Sequence, residues 1–470
     1  MKILLAVPTV DTCYEYVQPI GLMNLALIAR GMGCEVDLLN FSGLSYKKGL
    51  SQILSRRYDL VGISCNFTNA APYSMRYARD IKKAYPDTMV ISGGNHATLL
   101  PEDLLFNEYD YVVYGEGEET FREFVQNMLE GKSPRDLKGL CRLEEGKVKR
   151  NAPREPIADM DTLPFNDYSL FDLNPYFKWA HMRYLNIETC RGCIYNCSFC
   201  ATVRMWGHTY RHKSAERIVK EFKVAQNLAC DFVFLADDDT AIDEKHLRRF
   251  CQLLIQEKAS VPWGTTIGCN SIKDETTYDL MAESGCIKVN ICIESANPRL
   301  LKAYRKPYTI EDNRKACMAM RKRGITVHNH GIIGFPDETL RETLNTYFYL
   351  IETSPIWHIS ILEPRPGTDY WETWDKKCDP TQYKLFGKAN VILSRKKISS
   401  YFIYRIFALF YFLNPCRIGK ALFHPVRGTR YSYWIQYYVA YRTLLANFFI
   451  FLGTVFSRIG KVFGLKGKNG

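Results

Sequence analysis

The stretch Tyr184-Leu-Asn-Ile-Glu188-Thr-Cys190-Arg-Gly-Cys193-Ile-Tyr-Asn-Cys197-Ser-Phe-Cys200 carries the most structural information in the chain. Its opening, Tyr184–Glu188, is a short apolar run and is predicted to be a strand. Behind it comes a loop in which Cys193, Cys197 and Cys200 stand at a three-then-two spacing. A loop that follows a parallel strand lies at the carboxyl mouth of the sheet, where barrel chemistry is placed. Thiolates at this spacing can hold three irons of a 4Fe–4S cluster and leave the fourth iron open to a small molecule. The same spacing admits a structural zinc, with Cys190 or His208 as a fourth ligand.

On the carboxyl side of this loop, apolar runs alternate with amphipathic stretches. Further strands are predicted at Phe232–Ala236, Gly264–Gly268, Lys288–Glu294, Thr326–Ile333 and His358–Leu362. Helices are predicted at Ala215–Asn227, Glu244–Glu257, Thr276–Ser284, Glu311–Arg323 and Glu338–Ile351. With Tyr184–Glu188 this makes fewer strands than the eight of a closed barrel, so a partial (β/α)6 barrel is predicted over residues 176–375. On the amino side a second alternating series runs through Ile3–Val7, Val36–Phe41, Leu60–Cys65, Met89–Ser92 and Tyr111–Tyr114. Helix-like segments Gly21–Gly31, Ala71–Ala84 and Glu119–Glu130 lie between them. That pattern predicts an α/β unit over residues 1–135, a parallel sheet wound on both faces. The charged, proline-broken stretch Ser133–Asp172 reads as a linker, bounded at 136–175.

Composition agrees with this plan. At 470 residues the chain is too long for one core. It is 47% hydrophobic and 24% charged, which excludes wholesale disorder. Sixteen cysteines in so long a chain make no small disulfide scaffold. The opening apolar run is too short for a secretory signal. The expected setting is therefore reducing and cytoplasmic, with thiols and metal ligands in place of disulfides.

The loop and its flanks resemble the signature of the radical S-adenosylmethionine superfamily. Cys193, Cys197 and Cys200 match the cluster ligands, and Phe199 matches the aromatic residue that lies beside the adenine. The resemblance implies that the open iron binds S-adenosylmethionine. Its reductive cleavage gives a 5′-deoxyadenosyl radical that takes hydrogen from the substrate. An electron donor such as flavodoxin or ferredoxin is implied with it. Asp237 and Asp238, in Ala236-Asp-Asp-Asp239, stand where many members carry a Gly-Gly-Glu that binds the methionyl amine. Glu294 and Ser295 match the Glu-Ser that contacts the cofactor. Gly331 and Gly334 belong to a Gly-x-Pro-x-Glu-Thr turn ending at Thr339, and Pro366-Gly367-Thr368 resembles the end of the core. Taken singly, each of these matches also reads as turn and packing chemistry.

Residues 1–135 resemble the cobalamin-binding domain fused to one class of these enzymes. The carrying positions are Ser64, at the end of the third strand, then Gly93, Gly94 and His96 after the fourth, and Gly115 and Glu116 after the fifth. Small residues at the carboxyl ends of parallel strands open a crevice for a large cofactor. The Asp-x-His-x-x-Gly motif that supplies a histidine to cobalt is missing. His96 is thus expected as a loop or tail contact and not a cobalt ligand. The bland reading is a doubly wound domain that binds nothing or a nucleotide, although no Gly-x-Gly-x-x-Gly follows the first strand.

The tail, 376–470, is expected to be helical, basic and aromatic. From Pro380 to Gly470 there are 15 Lys and Arg and no acid, so the net charge of +12 resides there. The apolar runs within it, Ile398–Cys416 and Tyr431–Ser457, carry one charge each, Arg405 and Arg442. Such runs are too apolar for a nucleic-acid surface. They suit helices lying in an anionic headgroup region, at the inner face of the cytoplasmic membrane. Helices packed on the barrel are the alternative. The expectation is a cobalamin-dependent radical enzyme that methylates an unactivated carbon of a lipid-like or other hydrophobic small-molecule substrate. The alternatives are a non-methylating radical cyclase or rearrangement enzyme, and a zinc-stabilised membrane adaptor.

Overall fold

The structure is a computed structural model that describes residues 1–9, 17–373 and 415–423, with positions 430, 433 and 434. Its amino-terminal sheet contains β1 (Lys2–Val7), β2 (Glu35–Asn40), β3 (Leu60–Ser64), β4 (Met89–Gly93) and β5 (Tyr111–Val113). These run parallel in the order β2-β1-β3-β4-β5. The unbroken apolar run Ile3-Leu-Leu-Ala6 follows from burial on both faces. Ile3 and Leu5 enter one core and Leu4 and Ala6 the other. The faces are covered by α1 (Ile20–Gly31), α2 (Tyr46–Leu54), α3 (Ala71–Ala84), α4 (Asn95–Leu99), α5 (Pro101–Leu105) and α6 (Glu118–Leu129). Strand order reverses between β1 and β3, so the ligand crevice of such a sheet opens at their carboxyl ends.

The stretch read as an irregular linker carries a hairpin, β6 (Leu140–Glu144) and β7 (Lys147–Arg150), which extends the same sheet antiparallel from β5. Its outer strand is largely exposed and basic, which keeps a sheet edge from pairing further but also disguises it as linker.

After α7 (Asn174–Ala180) the second sheet begins. Its strands are β8 (Tyr184–Ile187), β11 (Phe232–Leu235), β12 (Trp263–Ile267), β13 (Cys286–Glu294), β14 (Thr326–Ile333) and β15 (Ile356–Ile361). All are parallel and in sequential order, the open arc of a (β/α)6 barrel. Between β8 and β11 lie two short antiparallel strands, β9 (Cys190–Arg191) and β10 (Arg211–His212), and α8 (Thr202–Trp206). The outer layer is α9 (Ala215–Asn227), α10 (Glu244–Gln256), α11 (Thr276–Glu283), α12 (Pro298–Ala303), α13 (Ile310–Lys322) and α14 (Leu340–Thr353), with α15 (Asp369–Thr373) closing the described body. Helix starts follow local chemistry. Ser214 caps α9 by accepting from the Arg217 amide, and Thr309 with Asp312 and Thr339 with Glu342 form capping boxes. That box starts α14 at Leu340, two residues later than the apolar pattern implied.

The two sheets share one continuous apolar core that runs from Ile3 and Leu5 to Val289 and Trp357. Gln18, buried ahead of α1, reinforces the join. Its amide donates to the Tyr184 carbonyl at 3.1 Å, and it accepts from the Asn186 backbone at 3.0 Å. Of the tail, α16 (Pro415–Phe423) is described, and Tyr433 is buried against Ile356 at the start of β15. The rest of the runs Ile398–Cys416 and Tyr431–Ser457 lies outside the described residues. Among the described residues no helix is long and apolar enough to cross a membrane.

Candidate active site

The cysteine loop is held at its base by the β9–β10 clasp, which pairs Arg191 with Arg211 and Cys190 with His212. Gly192 turns the chain there at φ 93°, and a Cβ would collide with the Thr209 carbonyl. No other residue type fits that turn without strain. At its far end the loop is tied to two other elements. The Ser198 amide donates to the Tyr304 carbonyl at 3.0 Å, and the Asp369 amide to the Ser198 carbonyl at 3.1 Å. Cys193, Cys197 and Cys200 are half-buried at this mouth, whereas Cys190 is buried with its thiol 3.9 Å from the Asp239 carbonyl. Burial pushes the Cys193 thiol up to about 12 and raises that of Cys197. A thiolate therefore forms here only against a compensating cation. Among the described residues no three His, Cys, Asp or Glu side chains close on a point suited to one metal ion. With the Cys190 thiol turned to the Asp239 carbonyl, three thiols stand at the mouth, a donor set for three irons of a polynuclear cluster and one short of a four-thiolate zinc site.

The three aspartates after β11 divide their work. Asp237 accepts from the Thr189 amide at 2.8 Å, the Cys190 amide at 3.1 Å and the Thr240 hydroxyl at 2.9 Å, and also from the Thr189 hydroxyl. Burial raises its carboxyl to about 6 against these bonds. Asp239 accepts from Ser271 at 2.7 Å and from the Ala241 amide. Asp238 alone is exposed, held at 3.1 Å by Thr202 beside the cysteine loop. Asp237 thus positions the loop, and Asp238 is the carboxylate open to a ligand.

At the end of β13 the ladder slips, and Glu294 takes φ 68°, a left-handed conformation rare for a non-glycine residue. Such strain gathers at functional sites. Its buried carboxylate meets the Lys306 ammonium at 3.0 Å, and that ammonium lies 5.2 Å from the Phe199 ring centroid. Burial opposes charge on Lys306, but the Glu294 carboxylate holds its pKa above the ordinary value. Phe199 also stands edge-on to Tyr304 and Phe335, which stack 3.5 Å apart. Lys306 was not legible in the sequence, since no motif or period marks it. Ser295 is fully buried and bonded to Asn297 and Thr346. A Cβ on Gly331 would press on Leu350 at 2.9 Å, so this glycine admits α14 to the sheet. Gly334, at φ 89°, donates to Glu338, which also accepts from Phe335 and Thr343.

In the amino-terminal crevice, Ser64 and Gly93 end neighbouring strands in register. Gly94, at φ 107°, packs on Cys65, where a Cβ would collide with Asn66. Gly115, at φ 74°, has open space in front of it. The imidazole of His96 is enclosed, 3.3 Å from Asp103 and 3.4 Å from Thr68. Glu116 accepts from Arg211 at 2.5 Å and from the Ile157 amide at 2.7 Å, and so faces the other domain. Beside it, Arg191 reaches from the cysteine loop to Glu118 at 2.7 Å and Glu188 at 3.0 Å, and lies 3.7 Å from Glu116. Burial alone would raise Glu118, but the Arg191 charge holds it below its ordinary value. This buried clamp joins the mouths of the two sheets. A lone arginine inside a cysteine loop and the Gly-Glu-Gly-Glu118 run were its available signals.

Comparison with known proteins agrees with this geometry. The radical SAM superfamily model matches residues 187–350, and the B12 binding domain model residues 7–125. An uncharacterized methyltransferase of Pyrococcus horikoshii is 31% identical over 386 residues, spanning 79% of this chain and 83% of the relative. The anaerobic magnesium-protoporphyrin IX monomethyl ester cyclase of Rubrivivax gelatinosus is 26% identical over 361 residues, spanning 74% of this chain and 64% of the relative. The solved radical S-adenosylmethionine methyltransferase TsrM of Kitasatospora setae has the same fold, with a TM-score of 0.64 at 21% identity over 76% of this chain and 72% of that one. The chain belongs to the radical S-adenosylmethionine superfamily, in the group with an amino-terminal B12-binding domain, and is an enzyme whose cofactors are a 4Fe–4S cluster, S-adenosylmethionine and cobalamin.

Proposed function

We propose that this enzyme methylates an unactivated carbon of a hydrophobic small molecule. The observation that supports this best is the buried Arg191 clamp, which holds the cysteine loop against the Gly115–Glu118 end of the cobalamin domain. When bound, the cluster with S-adenosylmethionine supplies a hydrogen-abstracting radical, and cobalamin supplies a methyl group. The chain's part is to hold, orient and exclude water. Cys193, Cys197 and Cys200 each hold one iron, and Cys190 holds none. Asp238 takes the methionyl ammonium, and Phe199 offers its ring to the adenine. Glu294, fixed by Lys306, and the Ser295 and Gly331–Gly334 turns shape the cofactor's seat. Ser64, Gly93, Gly94 and Gly115 bound the cobalamin crevice. His96, its imidazole enclosed between Asp103 and Thr68, would offer no ring nitrogen to a bound cobalamin. The electron comes from a flavodoxin or ferredoxin.

Support for an apolar substrate comes from the acid-free aromatic tail. Curated relatives include a hopanoid C-3 methylase and a bacteriochlorophyllide d methyltransferase. The test is anaerobic incubation of reconstituted enzyme with methyl-labelled S-adenosylmethionine and extracted lipids. Label in the lipid fraction together with 5′-deoxyadenosine is the expected result. Formation of 5′-deoxyadenosine with no label transfer to any acceptor would favour ring formation, the reaction named for the cyclase relative. Iron content of single Cys→Ala variants checks the ligands. A full cluster in Cys197→Ala, or its loss only in Cys190→Ala, would overturn the assignment.

A further inference from the structure

The inner face of the barrel carries a polar cluster that the cofactor reading leaves unused. On β14, Asn329 turns outward to Asn313 and Thr353 on the helices, and Gly331 packs on Leu350. Alternation along a strand therefore turns His328 and His330 inward. Register places Asn290 of β13 beside His328, and His358 of β15 beside His330. The rings of His328 and His330 lie 4.2 Å apart, and those of His330 and His358 lie 5.7 Å apart. Gly331, the residue after His330, pairs with Glu294. His330 is thus the first layer beneath the cofactor mouth and His328 the second, at ~3.3 Å per residue.

Both ring nitrogens of His328, Nε2 of His330 and Oδ1 of Asn290 are enclosed and have no hydrogen-bond partner. Buried polar atoms are paired in the great majority of cases, so four orphans on one face point to a partner from outside the chain. Burial holds both rings neutral, His330 down to about 3 and His328 well below its ordinary value. A neutral imidazole donates from one nitrogen and accepts at the other. His328 therefore needs one acceptor and one donor, and Asn290 Oδ1 needs a further donor. A carboxylate or phosphate only accepts and would leave two of these atoms orphaned, even though the Lys288 ammonium, two residues before Asn290 on the same face of β13, would attract its charge. An ammonium only donates and would leave the imidazole N–H orphaned. A hydroxyl does both.

We infer that Asn290, His328 and His330 bind a hydroxyl-bearing end of the substrate inside the barrel, beneath the cofactor mouth. The inference rests on the barrel being the substrate site of the reaction proposed above and adds the chemical class of the substrate's polar end. An apolar molecule anchored in this way by hydroxyls is held with its carbon chain toward Glu294 and the cysteine loop.

The test uses reconstituted full-length enzyme with S-adenosylmethionine and no reductant, so that binding is read without turnover. Isothermal titration compares 1-O-hexylglycerol, hexanoate and hexyl phosphate, which share one chain and differ in the head. Hexylglycerol is expected to bind at least tenfold tighter than either anion. His328→Phe and Asn290→Leu should each remove that preference while iron, cobalamin and S-adenosylmethionine contents stay at wild-type levels. The milder His328→Gln keeps a donor and an acceptor and should retain part of it. Tighter binding of an anion, equal binding of all three, binding of none, or a preference that survives both replacements would each overturn the proposal. Failure of methyl transfer would not, because no methyl transfer is read.

Discussion

At the scale of single residues, backbone strain and burial mark the positions whose replacement should be most visible. Gly192→Ala places a side chain at φ 93° against the Thr209 carbonyl. The left-handed backbone alone costs about 1–2 kcal/mol, and the collision adds to it. Reconstituted iron per chain is expected to fall by more than half, whereas Gly115→Ala, with open space in front of it, should leave iron unchanged. Iron and sulfide analysis of both variants makes the comparison. Asp237 allows a pH test. Burial raises its carboxyl from 3.8 to about 6, so the folded state holds the proton more tightly than the unfolded chain. Its contribution to stability is full below about pH 4 and is lost as pH rises through about 6. Asp237→Asn does not titrate. Thermal unfolding of metal-free protein should therefore show the variant gaining on wild type from pH 4 to pH 6.5. A constant difference across that window would contradict the buried, protonating carboxyl.

Elements are joined here by two different devices. The first is electrostatic: the buried Arg191 ties the start of the cysteine loop to α6 through Glu118. Removing one partner of a buried pair leaves an uncompensated charge and costs about 3–5 kcal/mol. Arg191→Met should thus unfold well below wild type and lose cobalamin with it, while Arg191→Met combined with Glu118→Gln should recover part of both. A melting curve and a cobalt content for each protein suffice. If the double variant is no better than the single one, the ion pair is not what joins the mouths. The second device is steric. Gly331 lets α14 lie on β14, and Gly331→Ala overpacks Leu350 and Thr346 at a cost of about 1–3 kcal/mol. Denaturant unfolding measures that cost, and a variant as stable as wild type would show that the helix can shift.

At the scale of the whole molecule the charge is divided between a nearly neutral body and a cationic tail. Each Lys or Arg placed near an anionic bilayer contributes about 1 kcal/mol, and apolar insertion adds about 25 cal/mol per Å² removed from water. Full-length protein is expected to float with anionic liposomes and a 1–379 protein to remain behind. Salt should weaken the capture but not abolish it. Equal flotation of both proteins, or of neither, would make the tail a packing element. Tyr433 already packs on Ile356, so the shortened protein should also melt lower.

Strand runs, helix periods and the thiol spacing are local in sequence, and from them the succession of strands along the chain, the parallel sheets and the candidate cluster loop could be read directly. Ser214 and Thr309 likewise act on amides within a few residues of themselves, and the helix starts beside them were legible to within a residue, whereas the Thr339 box moved the start of α14 two residues past the apolar pattern. The hairpin at 140–150 was not, because exposed charged strands look like linker until a neighbouring strand, β5, is there to pair with them. Nor was the division of labour among Asp237, Asp238 and Asp239, which depends on Thr189, Thr202 and Ser271 from three separate segments. The same holds for Lys306 beside Glu294, for Arg191 between two domains, and for the imidazoles that face the barrel interior. Local propensity and periodicity determine which elements form. Long-range packing decides which polar groups satisfy one another and which are left for a ligand, because hydrogen bonds and ion pairs depend on distance in space and not on distance along the chain.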